Sequence, residues 1–600
     1  MKKIQYKFLI SALLVVIIAV AACKKSFLDK PPLGTLNPQI LASEAGVQGL
    51  LIGAYSLVDG EGAPGDGQIS AASNWAQGGV ASDDAYKGSD PSDFSSLQAF
   101  EQWSTMTPTN TDVGSKWLTM YAGAQRCNDV IRTLAITSGI PAAEGTKITA
   151  QARFLRAYYH LELKEVYGNI IYADETVSPQ NIAVSNADQA AVWTKLEDDL
   201  KFAIANLPET WSEIGRVNLW AAKAMLAKAY MFEGKYTDAY PLLKDIIVNG
   251  KTSNGTHYAL LPNFYSNFNP AQKNSAESVF AAQTSVHDGS SVTWNGQPNG
   301  NYGDILNFPY NSGPGACCGF YNPSQDLANA YKVDAAGLPL LDSWYTGNWV
   351  SATTSPYTGT LDPRIDWTIG RKGIPYLDWG PHPGDDWIRN PVNDGHFSPK
   401  KNVYAASQKD QYTDVGSAYW GPTELVANNV NIIRLSEVIL WAAESAVKAG
   451  EIPAAMDYVN TVRARVMDNP NTWVYKEPIP GKSDYNAPTA MYSDHTTMAD
   501  NYKIGLYTPA TFTAANAMQA VQFETRIELA MEGHRFFDLV RWGIAEPVLN
   551  TYYAREKTIR PLKMNAHFTT PKNNYFPIPQ GEIDNMNSDG TIRLTQNPGY

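Results

Sequence analysis

Two glutamates one helical turn apart are the first groups in this 600-residue sequence that could do acid–base chemistry. They are Glu528 and Glu532, in the stretch RIELAMEGHRFFDLVRW from Arg526 to Trp542. A carboxylic acid and a carboxylate held side by side could give and take a proton on one substrate. Read as one helix, the stretch puts Glu528, Glu532, Arg535 and Leu539 on one stripe and Leu529, Gly533, Phe536 and Val540 on another. Glu532 to Arg535 and Arg535 to Asp538 are then three residues apart, so the same charges can instead neutralise one another inside a packed helix. Carboxylates at this spacing are common by chance, and the internal ion-pair helix is the simpler expectation.

Two further acid pairs, Asp83-Asp84 and Asp385-Asp386, are candidates for the carboxylates of a glycoside hydrolase. Such enzymes need two carboxyls facing each other across a cleft, roughly 5 to 10 Å apart, whereas adjacent acids in a loop normally point away from each other. Nothing beside them resembles an activated nucleophile. The eight histidines form no HExxH and no short cluster with cysteine, so neither a metal nor a cofactor is expected. Of the four cysteines, Cys127 falls in a helical pattern, and Cys317 and Cys318 are neighbours in a glycine-rich loop, either as a vicinal disulfide or as a reduced, packed pair. This is no disulfide framework.

Binding chemistry is better represented. Residues 251–425 hold 18 of the 45 glycines, 15 of the 37 prolines and 7 of the 16 tryptophans, so this segment is loop-rich and aromatic. Indole and phenol faces stack on the apolar face of a pyranose while amides and carboxylates bond its hydroxyls. The same rings could equally pin long loops onto a rigid body, the arrangement on which binding loops usually sit.

The elements that must position these groups are helical. KWLTMYAGAQRCNDVIRTL and ITAQARFLRAYYHLELKEVYG carry apolar residues at i, i+3, i+4 spacing, and NLWAAKAMLAKAYMFEGKYTDAYPLLKDIIVNG reads as a helical hairpin. Its Leu226, Ala227, Tyr230, Gly234, Tyr236 and Ala239 follow the tetratricopeptide pattern of small residues at the crossing and a turn glycine. A second such hairpin, IIRLSEVILWAAESAVKAGEIPAAMDYVNTVRARV, begins only at Ile432. The expected fold is therefore mainly α: a tetratricopeptide-like helical frame over 38–250 and 426–600, interrupted by a large irregular insertion over 251–425.

At the N-terminus Lys2, Lys3 and Lys7 precede an uncharged run from Phe8 to Ala22 that ends in Val20-Ala21-Ala22-Cys23. The run is shorter than the roughly 20 residues a spanning helix needs. Residues 1–22 thus read as a signal peptide, Cys23 as the acylated residue of a lipobox, and 23–37 as a lipidated linker. Hydrophobic residues at 44% and charged residues at 18% exclude global disorder. The net charge of -12 argues against nucleic acid as a partner and suits neutral ligands better than polyanions.

These pieces resemble the SusD/RagB family of outer-membrane nutrient-uptake lipoproteins along nearly the whole mature chain. ARFLRAYYHLELKEVYG looks like an early helix of the family, and PSQDLANAY (Pro323 to Tyr331) and LDPR (Leu361 to Arg364) look like its middle signatures. IRLSEVILWAAE, RIELAMEGHRFFDLVRW and the terminal FPIPQGEIDNMNSDGTIRLTQNPGY look like its C-terminal half. The resemblance implies a lipid-anchored protein of the cell outer membrane, facing outward, that acts as the lid of a SusC-like TonB-dependent transporter. Such a protein binds its ligand, mostly an oligosaccharide and in some members a peptide, and does not cleave it. Many surface-exported relatives carry acids just after the lipid cysteine, whereas Lys24-Lys25-Ser26-Phe27-Leu28-Asp29 has only Asp29. Family glycan contacts come from two regions. The first offers Trp75, Asp83, Asp84, Trp103 and Asn110 here, with Trp103 and Asp83 foremost, and the insertion offers Trp294, Tyr302, Trp344 and Trp387.

Overall fold

The computed structural model describes residues 41–62, 64–178, 182–290, 298–311, 313–315, 317–418, 421–476 and 496–600. The signal segment, Cys23, the linker to residue 37 and Trp294 lie outside the described residues. The chain is mainly helical, as the periodicity predicts, with only short strands.

In the N-terminal part the long helices are α1 (Glu44–Ser56), α2 (Val113–Ile136), α3 (Ala142–Tyr167), α4 (Gln189–Asn206), α5 (Leu219–Glu233) and α6 (Tyr236–Asn249). Neighbours in this series pack against one another. Side-chain caps start three of them: Ser43 accepts from Gly46 N, Asp188 from Ala191 N and Asn218 from Ala221 N, each satisfying an amide that the helix leaves orphaned. Gly234 ends α5 in the left-handed conformation and lets α6 fold straight back, with Ala227 and Ala239 fully buried. Helix α3 is buried on nearly every side from Ile148 onward, although Arg156, Glu162, Lys164 and Glu165 are among its buried residues. Its charges are matched: Arg156 meets Asp199 at 2.7 Å, Glu162 meets Lys116 at 3.0 Å and Glu165 meets Lys228 at 2.8 Å.

Strand β1 (Ala85–Gly88) pairs antiparallel with β3 (Phe320–Pro323), and β2 (Ser278–Ala282) with β6 (Val430–Arg434); between them β4 (Thr413–Ala418) and β5 (Gly421–Val426) form a hairpin. The short helix α7 (Gln325–Ala330) follows β3 directly and is capped by Ser324, which accepts from Leu327 N. The rest of the frame is α8 (Leu435–Lys448), α9 (Ile452–Met467), α10 (Ala517–Leu529), α11 (Arg535–Arg541) and α12 (Ala545–Glu556). The hairpin expected from Ile432 starts three residues late, because Ile432–Arg434 is spent on β6.

The stretch from Arg526 to Trp542 is not one helix. It breaks between α10 and α11, with Met531 and Gly533 at φ of 62° and 77°. The break brings Gly533 against the 73–78 backbone so closely that a Cβ there would lie 1.9 Å from the Ser73 carbonyl oxygen. It also redirects the charges. Glu532 meets Lys401 at 2.6 Å and Arg434 at 2.8 Å, Arg535 turns to Asp83 at 2.8 Å, and Asp538 pairs with Arg541 at 2.7 Å. The pairs expected within one helix are replaced by bonds mostly between distant elements.

Glu528 is fully buried and meets Arg434 and Arg465 at 2.6 Å and Arg364 at 2.9 Å. Glu524 joins Arg364 and Arg463 at 2.7 Å, Glu277 reaches Arg434 at 2.9 Å, and Asp362 reaches Arg364 at 2.8 Å. The motifs LDPR, IRLSE and RIELAMEG are thus tied into one ion-pair knot. Burial pushes the Glu528 carboxyl up, but Arg465, Arg434 and Arg364 together outweigh it and hold the group well below the usual range. Glu528 so enclosed has no free oxygen and no path to a substrate, and both oxygens of Glu532 are taken by Lys401 and Arg434, which leaves the acid–base reading of the two without support.

Candidate functional site

An open recess of about 390 Å³ lies between the loop Leu341–Tyr345, α10 and α12, with Asp83 at its floor. Its floor is positioned by pairing. Ala85 sits opposite Pro323 in the β1–β3 ladder, and Ser324 extends the match by donating its N–H to the Asp84 carbonyl at 2.8 Å and its hydroxyl to the Asp83 carbonyl at 2.6 Å. This brings the 81–84 turn beside α7 and its Asp326. The rim is held by Gln519 of α10, which donates to Asp342 Oδ1 at 2.7 Å and so docks the loop that carries Trp344 and Tyr345.

Three arginines from separate elements line the recess: Arg526 of α10, Arg535 of α11 and Arg555 of α12. Arg535 makes a fork to Asp83, Nε to Oδ1 at 2.8 Å and Nη2 to Oδ2 at 3.0 Å. Arg526 reaches Asp84 at 2.9 Å, Asp83 at 3.1 Å and Asp326 at 3.2 Å, and Arg555 Nε reaches Asp326 at 3.0 Å. Burial raises the Asp83 carboxyl, but Arg526 and Arg535 outweigh it, so Asp83 stays ionised. The guanidiniums of Arg526 and Arg555 stand 5.3 and 5.1 Å from the Trp344 ring centre, and that of Arg555 lies 5.0 Å from Tyr345. Trp344 is half-buried and Tyr345 is 41% exposed, so ring surface remains open to solvent beside these donors. Rings, apolar walls from Phe523 and Val548, and a few converging polar groups are the ingredients of a small-molecule site.

Of the residues singled out in the sequence, the recess gathers Asp83 and Trp344, with Asp84 directly behind on Arg526. The other tryptophans correct the expectation. Trp103 is fully buried: its ring stacks on Phe536 at 4.9 Å, meets Phe568 and Phe576, and donates to the Ala81 carbonyl at 3.0 Å. Trp75 is fully buried against Phe320 and Tyr321, and bonds the Gln68 carbonyl at 2.8 Å. Trp387 packs on Tyr376 and His382. None of the three offers a face to a ligand. Asn110 serves its own turn, donating to the Ser96 carbonyl at 2.9 Å and accepting from Asp112 N at 2.9 Å. Tyr302 is half-buried and does not line the recess. Asp385 is exposed and pairs with His396 at 2.8 Å. Tyr345 and the three arginines are the residues that sequence reasoning passed over. Two of those arginines, Arg526 and Arg535, stood in the quoted RIELAMEGHRFFDLVRW stretch, where Arg535 was assigned to pairing within the helix and Arg526 was given no role.

A second pocket, between Ser73, Asn301, Asp304, Asn402 and Asn428, is amide-rich but only about 60 Å³, room for a few waters. The sulfurs of Cys317 and Cys318 lie against each other as a vicinal pair, while Cys127 is a buried free thiol.

Comparison with known proteins adds independent findings. A family model described as the SusD family matches residues 276–600, and one described as "Starch-binding associating with outer membrane" matches residues 27–231. A SusD-like protein of Formosa agariphila is 22% identical over 491 residues, 78% of this chain and 77% of that protein. Among solved structures, a laminarin-binding SusD-like protein superimposes with a TM-score of 0.65 at 23% identity, covering 93% of this chain and 100% of the other. Surface glycan-binding protein A of Bacteroides thetaiotaomicron, in complex with laminarihexaose, gives 0.63 at 20% identity, covering 92% and 99%.

Proposed function

This chain belongs to the SusD family, and from that premise we propose that it binds an oligosaccharide in the Trp344–Tyr345 recess and passes it on for nutrient uptake without cleaving it. The observation that carries the reading is the recess itself, where open aromatic surface stands beside convergent side-chain donors. The names of its structural neighbours, which bind laminarin and laminarihexaose, support the ligand class. The carboxylates nearest the recess are all bonded to arginine, which supports binding over hydrolysis.

The same proposal includes acylation at Cys23, attachment to the outer membrane with the body facing outward, and delivery to a SusC-like TonB-dependent transporter docked on the helical-repeat side. The description of the family matching residues 27–231 supports the location. Among the described residues no helix is long and apolar enough to cross a membrane, which is consistent with attachment by lipid.

Calorimetric titration with a panel of oligosaccharides tests the binding claim. Stacking on an aromatic ring is worth on the order of 1 to 3 kcal/mol, so Trp344→Ala should weaken the best ligand about tenfold or more with an unchanged melting curve. Unaltered affinity in Trp344→Ala would move the site elsewhere, and steady release of shorter sugars would overturn the non-enzymatic reading.

A further inference from the structure

We infer that the recess selects acidic saccharides: a carboxylate or sulfate on a sugar resting against Trp344 or Tyr345 is received by the outer guanidinium edges of Arg535 and Arg555. The inference rests on the recess being the saccharide site, and it names the chemical class of the ligand.

Arg526, Arg535 and Arg555 are balanced by Asp83, Asp84 and Asp326, so the cluster as a whole is neutral. Its two signs are not equally presented. Asp83, Asp84 and Asp326 are 1%, 3% and 4% exposed, whereas the side chains of Arg535 and Arg555 are 11% and 28% exposed. Both of these arginines bind their aspartate through Nε and Nη2. Among the described residues, Nη1 of neither one makes a hydrogen bond. A ligand entering the recess therefore meets spare cationic donors, whereas the acids that compensate them are almost wholly buried and engaged by arginine.

Neutral sugar hydroxyls could use those donors, but an anion gains more. A charge-assisted hydrogen bond is roughly twice as strong as a neutral one, and the guanidinium edge matches the planar oxygens of a carboxylate or two oxygens of a sulfate. Walls from Leu341, Phe523, Ile544 and Val548 keep water from part of the site and strengthen the attraction. The net charge of -12 points toward neutral ligands; this donor patch is a local exception.

The test is calorimetry on the mature chain with matched probe pairs: trigalacturonate against its methyl ester, and a sulfated galactan oligosaccharide against its desulfated form. At least one acidic member should bind about tenfold or more tightly than its neutral partner. That ratio should shrink as salt is raised, and it should collapse toward one in Arg555→Gln. Arg555→Lys, which keeps the charge without the fork, should retain part of it. A ratio near one in the unaltered protein, or a ratio indifferent to Arg555→Gln, overturns the inference. If Arg555→Gln does not fold, the unaltered protein's ratio and its salt dependence decide alone. Failure of the underlying site looks different, since Trp344→Ala would then leave every affinity unchanged. Binding by no probe at all would overturn both.

Discussion

Trp103 and Trp344 carry the same indole in opposite surroundings. Trp103 is enclosed by Phe536, Phe568 and Phe576 with its N–H bonded to a carbonyl, so its area is already removed from water. Trp103→Ala should cost about 3 to 5 kcal/mol of stability. A lowered melting temperature with unchanged glycan affinity at a permissive temperature is the expected outcome, and weakened binding with full stability would reinstate Trp103 as a ligand contact. Sequence cannot separate the two indoles, because a tryptophan in a loop-rich segment reads alike whether its face turns in or out. His382, packed on Trp387, makes a second residue-scale prediction. Burial, aided by Lys400, lowers its pKa to about 3. The unfolded chain titrates near pH 6.5 and so binds the proton first, and stability should fall as pH drops from about 6.5 toward 3, by at most about 1.4 kcal/mol per unit. Denaturant midpoints at pH 7 and pH 4.5 should therefore differ less in His382→Gln than in the unaltered chain, and equal losses would refute the assignment.

At the scale of elements, the break between α10 and α11 shapes the recess. Were Arg526 to Trp542 one helix, Glu532 and Arg535 would pair locally; with the turn at Gly533, Arg535 instead reaches Asp83 and Glu532 reaches Arg434. Only glycine suits the position, since its φ is 77° and a Cβ would meet the Ser73 carbonyl. Gly533→Ala should destabilise by at least about 2 kcal/mol and weaken saccharide binding through the displaced Arg535. Ala at 533 with native stability and affinity would show that the turn is not needed. The glycine was visible in the sequence, but inside a helical pattern a glycine is only a weak interruption. What decided the break was the approach of the 73–78 backbone, a contact more than four hundred residues away along the chain.

For the whole molecule, attachment and recognition are separable. The proposed anchor is Cys23 and the proposed site lies in residues 83–555, so Cys23→Ala should move the protein from the membrane pellet to the soluble fraction while glycan affinity stays unchanged. Retention in the pellet without the transporter present would refute the lipid anchor. The sequence alone determined the helical class, the hairpins with their turn glycines, and the family, because periodicity and motif are local properties that survive without knowledge of neighbours. It put Trp103 and Asp83 foremost among the ligand candidates and Trp344 behind them, whereas the fold buries Trp103 and places Trp344 beside Asp83 in the recess. Only the tertiary structure decided which charges meet. The ion-pair knot joins Asp362, Arg434 and Glu528, and the recess joins Asp83, Trp344, Arg526 and Arg555. A buried charge must find an opposite charge at hydrogen-bonding distance wherever the fold brings one, and that distance is set by packing between elements far apart along the chain.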